Sequence, residues 1–140
     1  MNGLLLSAGD LWDQIHYRHR DKGGVYKLHC LVEVGGEKVE ETSRLLGVDG
    51  EGVLYIGKAM SFTDRVVNLR KALLPHMKSS GHICGRRYWN PRFEGLRNRF
   101  PFERLCVTLK EAENPEELER EELDIYCRMF GEPPPLNRMD

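Results

Sequence analysis

The sequence predicts an α+β fold: a small antiparallel sheet of about three central strands, flanked by helices. Two observations carry this. Short runs rich in β-branched and aromatic residues occur at 25–34, 53–57 and 102–109, and segments with helical apolar spacing or capping lie between and after them. The Gly35-Gly36 pair that closes the first run is a hairpin signal.

Taken in order, residues 9–20 (GDLWDQIHYRHR) form a short helix with Asp10 or Ser7 as N-cap, within an N-terminal helical extension at 1–22. VYKLHCLVEV at 25–34 is the first strand, and an apolar piece around 39–46 is a candidate for a further short one. The run VLYI at 53–56 is a strand that stops at Gly57. Phe62, Val66, Leu69 and Leu73 follow i, i+4, i+7, i+11, a helix that ends before Pro75. The stretch 76–101 is basic and aromatic, broken by Gly81, Gly85, Pro91 and Pro101, and predicts loops with one short helix near 91–99. FERLCVTL at 102–109 is a strand. Asn114-Pro115-Glu116-Glu117 then opens a capped helix that runs to about Phe130. On it the expected apolar stripe is Leu118, Ile125 and Met129, with Glu121 and Glu122 filling the gap.

The chain has 140 residues, 40% hydrophobic and 31% charged, which suits a single domain spanning 1–140. The three-leucine run near the start is far short of a signal h-region or a membrane span, so no membrane association is expected and the location reads as cytoplasmic. Cys30, Cys84, Cys106 and Cys127 form no CxxC pair and read as free thiols in or near the core. His82 and Cys84 alone are too few ligands for a zinc site.

Net charge is −1, but its distribution is uneven. Between residues 58 and 104, eleven basic residues face three acids, a local charge of +8, whereas residues 111–124 hold eight carboxylates against one arginine. Arg70, Lys71, Lys78, His82, Arg86, Arg87, Arg92, Arg97 and Arg99 lie in or beside a basic insertion at 76–101, interleaved with Tyr88, Trp89, Phe93 and Phe100. Such a block fits a nucleic-acid surface slightly better than a solvated helix face. Tyr26 and Tyr55 each sit on a short strand near a glycine and would lie side by side if those strands pair. Lys58 and Arg65 could then reach one phosphate. A glutamate beside the core-facing stripe of the last helix costs stability unless it is paired, hydrogen-bonded or bound to a metal.

Gly24-Val25-Tyr26, Tyr55-Ile56-Gly57-Lys58, Arg65, a helical glutamate and Leu136-Asn137, in that order over residues 24–137, resemble the GIY-YIG endonuclease superfamily. The Tyr-Ile-Gly-Lys-Ala run is also similar to the nuclease domain of the bacterial excision-repair incision protein. The resemblance implies a GIY-YIG-like fold and a Mg²⁺- (or Mn²⁺-) dependent hydrolase of DNA, most simply of a duplex, with a homodimer if both strands are cut. It implies no small-molecule cofactor beyond the metal. Tyr26 and Tyr55 would hydrogen-bond the attacking water, one of them as general base. Lys58 and Arg65 would hold the scissile phosphate, Glu121 (four residues before Ile125) would bind the metal, and Asn137 would support the site. Lys58, Arg65 and the metal would favour phenolate character in the tyrosines.

Two departures accompany the resemblance. The link at about 33–52 is long enough to carry an extra hairpin. The family often has a histidine or tyrosine one turn after the arginine, and here that residue is Leu69, which leaves His29, His76 or His82 as replacements. The rival reading is a nucleic-acid-binding module with the same fold and weakened catalysis.

Overall fold

A computed structural model describes residues 3–79 and 81–137. The first two residues of the N-terminal extension and Ser80 of the basic insertion lie outside the described residues. In chain order the elements are β1 (Leu4–Leu5), α1 (Leu11–His19), β2 (Gly24–Cys30), β3 (Thr42–Arg44), β4 (Gly47–Asp49), β5 (Tyr55–Ala59), α2 (Phe62–Leu73), α3 (Ile83–Tyr88), α4 (Glu94–Arg99), β6 (Leu105–Glu111) and α5 (Pro115–Phe130). The mixed α+β class is as expected. Its main sheet has four antiparallel strands in the order β1-β6-β2-β5, and β3–β4 form a separate hairpin within the long link. Among the described residues, no helix is long and apolar enough to cross a membrane.

Side chains alternate across a strand, so each face of β2 and β5 has its own partners. Tyr26, Leu28, Tyr55 and Ala59 face a core completed by α1 and α2, in which Phe62, Val66, Leu69 and Leu73 are wholly buried. Leu69 is therefore a core residue, and a polar group there would be enclosed and would need a hydrogen-bond partner. Val25 and Ile56 point the other way, to Leu118, Leu123, Tyr126 and Phe130 of α5. This corrects the stripe expected on α5: Ile125 and Met129 are 56% and 61% exposed, and Tyr126 is the buried residue. At about 100° per residue, moving the stripe from Ile125 to Tyr126 turns a different set of glutamates toward the sheet.

β5 is an edge strand, and its outer edge is covered by the C-terminal segment. The Leu136 N–H donates to the Leu54 carbonyl at 2.9 Å. The Asn137 side-chain amide accepts the Ile56 N–H and donates to the Ile56 carbonyl, both at 2.9 Å, as a neighbouring strand would. That segment is tied in turn to the β3–β4 hairpin. Arg44 donates to the Pro133 carbonyl and pairs with Glu132, while the Leu46 N–H bonds the Phe130 carbonyl. Asp49, 2% exposed, accepts the backbone N–H groups of Glu51 and Val53 and the Tyr126 hydroxyl, joining the hairpin, the segment leading into β5 and α5. All four cysteines are free thiols; three are buried and Cys127 is half-buried.

Candidate active site

The outer end of β5 gathers the reactive side chains. In the β2–β5 ladder Tyr26 faces Gly57 and Leu28 faces Tyr55, so the two tyrosines are diagonal neighbours on one face. Their ring centroids are 6.0 Å apart with the planes tilted by 39°. Gly57 makes this approach possible. A Cβ there would lie 2.5 Å from Cζ and Oη of Tyr26 and 2.7 Å from Cε2 of Tyr55. Tyr26 is fully enclosed and Tyr55 is 8% exposed, so of the two phenols Tyr55 is the one at the rim.

His82 completes this cluster from α3, where it is the N-cap. Its Nε2 lies 2.6 Å from the Tyr26 hydroxyl and its Nδ1 accepts the Cys84 backbone N–H at 3.1 Å. Its ring meets both tyrosine rings edge-on, at 6.1 and 5.5 Å. The other two candidate histidines are elsewhere. His76 is exposed, and His29 lies on the opposite face of β2, between the Glu51 carbonyl and the Thr108 hydroxyl. His82 is thus 1% exposed and part of the tyrosine cluster, not of a basic surface.

Arg65, in the first turns of α2, is half-buried, and its charge acts on Tyr26, Tyr55, His82, Cys84 and Glu119. No carboxylate stands within ion-pair distance of it among the described residues. Lys58 is exposed on the α5 side of β5, 3.8 Å from Glu116.

The carboxylate that joins this group is Glu119. It is half-buried, and burial raises its pKa against the opposing pull of the Lys58 charge, the Lys58 backbone N–H it faces, and Arg65. Glu121 is exposed and makes none of these contacts, being about 200° round the helix from Glu119. Glu122 is engaged by Lys27 at 3.0 Å and Lys110 at 3.3 Å. Burial pushes the Glu122 pKa up, but the two lysines outweigh it and hold the carboxyl below its ordinary value. A signal for Glu119 did exist in the sequence, since it also lies four residues before an apolar residue, Leu123. Choosing Ile125 as the buried position concealed it.

Burial opposes the expected phenolate character. Burial raises both phenols, Tyr26 well above its ordinary value, and the attraction of Arg65 only offsets part of this. Burial and Arg65 together lower the His82 pKa to about 3, so the imidazole is neutral at physiological pH. Among the described residues there is no group of three histidine, cysteine or acidic side chains able to hold a metal ion, so any cation here would rest on Glu119, its own ligands and water.

The basic insertion folds onto its own aromatics. Tyr88 and Phe100 are buried, joined by a 2.7 Å bond from the Tyr88 hydroxyl to the Phe100 carbonyl, and the Trp89 indole donates to the Ala72 carbonyl. Several arginines hold backbone carbonyls: Arg70 that of Ala8, Arg87 that of Pro135, and Arg97 those of Tyr88 and Asn90. Arg99 pairs with Glu40 at 3.5 Å. Lys71, Arg86 and Arg92 are exposed, as is Lys78, whose ammonium lies 4.5 Å above the Trp89 ring. No family model matches the chain, and neither a curated protein nor a solved structure matches it.

Proposed function

We propose that this chain is an endonuclease of the GIY-YIG type that hydrolyses phosphodiester bonds in double-stranded DNA with Mg²⁺ or Mn²⁺. The observation that carries the reading is the convergence at one end of β5 of two phenols, Lys58, Glu119 and an arginine that has no carboxylate partner among the described residues. The family's cation requirement fits Glu119. A hard cation needs only one or two protein carboxylates beside phosphate and water, and among the described residues no basic side chain lies within ion-pair distance of this one. When bound, the ion supplies positive charge against the phosphate oxygens and beside Tyr55.

In this reading Arg65 and Lys58 take the non-bridging oxygens, where negative charge grows as water adds to phosphorus. One P–O ester bond breaks, and the departing oxygen takes up a proton. Tyr55, at the rim, receives a hydrogen bond from the attacking water and orients it. Burial keeps this phenol neutral, so it orients the water as a hydrogen-bond acceptor and would act as a base only where added positive charge lowered its pKa.

Plasmid nicking in Mg²⁺ tests the proposal. Glu119→Gln is expected to lower incision by at least about a hundredfold while duplex binding persists, and Glu121→Gln to cut at close to the parental rate. Clean parental protein that binds DNA and never cuts it would sink the enzyme reading in favour of a binding module. A lethal Glu121→Gln beside a mild Glu119→Gln would sink the assignment of the carboxylate.

A further inference from the structure

We propose that His82 is a positioning residue: held at Nδ1 by the Cys84 backbone N–H, it presents Nε2–H to the Tyr26 hydroxyl oxygen and turns the Tyr26 proton toward Tyr55. Its consequence for incision rests on the nuclease reading above; the direction of the hydrogen bonds does not.

A neutral imidazole has one donor nitrogen and one acceptor nitrogen. Nδ1 faces a backbone N–H, which can only donate, so Nδ1 is the acceptor and the ring proton sits on Nε2. At 2.6 Å from Oη, Nε2–H donates to Tyr26. The Tyr26 O–H then needs an acceptor of its own. The groups acting on this phenol besides His82 are Tyr55, Arg65 and Cys84. Arginine has no acceptor and a thiol sulfur is a weak one, which leaves the Tyr55 oxygen. Tyr55 in turn directs its own proton outward, to the rim where a substrate would lie. Burial and the neighbouring guanidinium both disfavour the imidazolium, which would abolish the Nδ1 acceptor.

The backbone is arranged to hold the ring there. Gly85 packs α3 directly onto α2, where a Cβ would lie 2.6 Å from Cβ of Ala72. The Trp89 indole bonds the carbonyl of that same Ala72 at 2.9 Å. Four residues beyond Arg65 on α2 stands Leu69, committed to the core, and Asn68 beside it is exposed, so the group that reaches the phenols comes from α3.

Ring-nitrogen NMR of the ¹⁵N-labelled parental protein tests the bond direction without any assay of activity. The expected pattern is that of the Nε2–H tautomer, unchanged between pH 8 and pH 5. An Nδ1–H tautomer or an imidazolium would overturn the proposal. The role is tested by two amides. His82→Gln keeps a donor near the Nε2 position, whereas His82→Asn reaches only as far as Nδ1. With both variants folded by circular dichroism, His82→Asn is expected to lower kcat up to about a hundredfold with KM little changed, and His82→Gln to restore most of the rate. Equal losses in the two would overturn the positioning role. A parental protein that cuts nothing removes the nuclease reading, while the NMR pattern still decides the hydrogen-bond direction.

Discussion

At the scale of single residues, Tyr26, Tyr55 and His82 share one property: enclosure favours their neutral forms. For His82 this has a consequence for stability. Its pKa falls from an ordinary 6.5 to about 3 on folding, so between those values the unfolded chain takes up a proton that the folded one refuses. Stability from this group is complete above pH 6.5 and falls as the pH is lowered toward 3, by about 1.4 kcal/mol per pH unit at most. His29, also lowered by burial, acts in the same sense, and the raised Glu119 opposes it in acid. Tyr26, Tyr55, Arg65 and Cys84 are the groups around the His82 ring, and neither the phenols nor the thiol titrate in this window. Urea midpoints are expected to fall from pH 7 to pH 5, and His82→Gln to flatten that slope. An unchanged slope in the variant would show that His82 is not its source.

At the scale of elements, β5 and α5 decide the site together. β5 supplies Tyr55, Gly57 and Lys58, while α5 crosses the opposite face of the sheet and brings Glu119 toward the strand's open edge. Asn137 fills the adjacent stretch of that edge with a pair of hydrogen bonds to Ile56. Asn137→Ala is expected to cost about 1–3 kcal/mol in denaturant unfolding, because it leaves Ile56 groups without their partner. Asn137→Asp should cost more, since a carboxylate opposite the Ile56 carbonyl sets two acceptors face to face. Equal stability of the asparagine and aspartate forms would show that the latch does not hold β5. The helix carrying Glu119 was legible in the sequence from its Asn114 cap and Pro115, and the cap is realised as an Asn114 side-chain bond to the Glu117 N–H. Its rotational phase was not. Leu118, Ile125 and Met129 form as regular an apolar series as the residues that are buried, and only the sheet beneath selects Tyr126.

Over the whole molecule, two populations stand out among the basic residues behind the +8 of 58–104. Arg70, Arg87, Arg97 and Arg99 bond backbone carbonyls or Glu40 and hold the insertion together. Lys58, Lys71, Lys78 and Arg92 are exposed cations able to meet a phosphate backbone. The division predicts different outcomes for single substitutions. If the chain binds duplex DNA as proposed, Lys71→Ala and Arg92→Ala should each reduce the salt dependence of that binding by about one phosphate contact, a slope change near 0.9, with stability kept. Arg97→Ala should instead lower the denaturation midpoint, because two carbonyls lose their donor. An Arg97→Ala variant of parental stability with a reduced salt slope would overturn the division. Charge counting finds the block, but it gives a staple and a surface contact the same weight.

Local order along the chain was thus enough for the α+β class, for the helix at 62–73, for the strands bearing Tyr26 and Tyr55, and for an extra hairpin in the long link. Each of these depends on spacing, capping and turn chemistry within a few residues. What only the tertiary structure decided was which side chains share one volume of space. It brought Glu119 rather than Glu121 to the end of β5, and His82 from α3 to the phenols where Leu69 of α2 could offer nothing. It also made the phenols neutral, because burial outweighs the arginine beside them. These outcomes depend on helix rotation and enclosure, and both are set by packing between elements far apart in sequence.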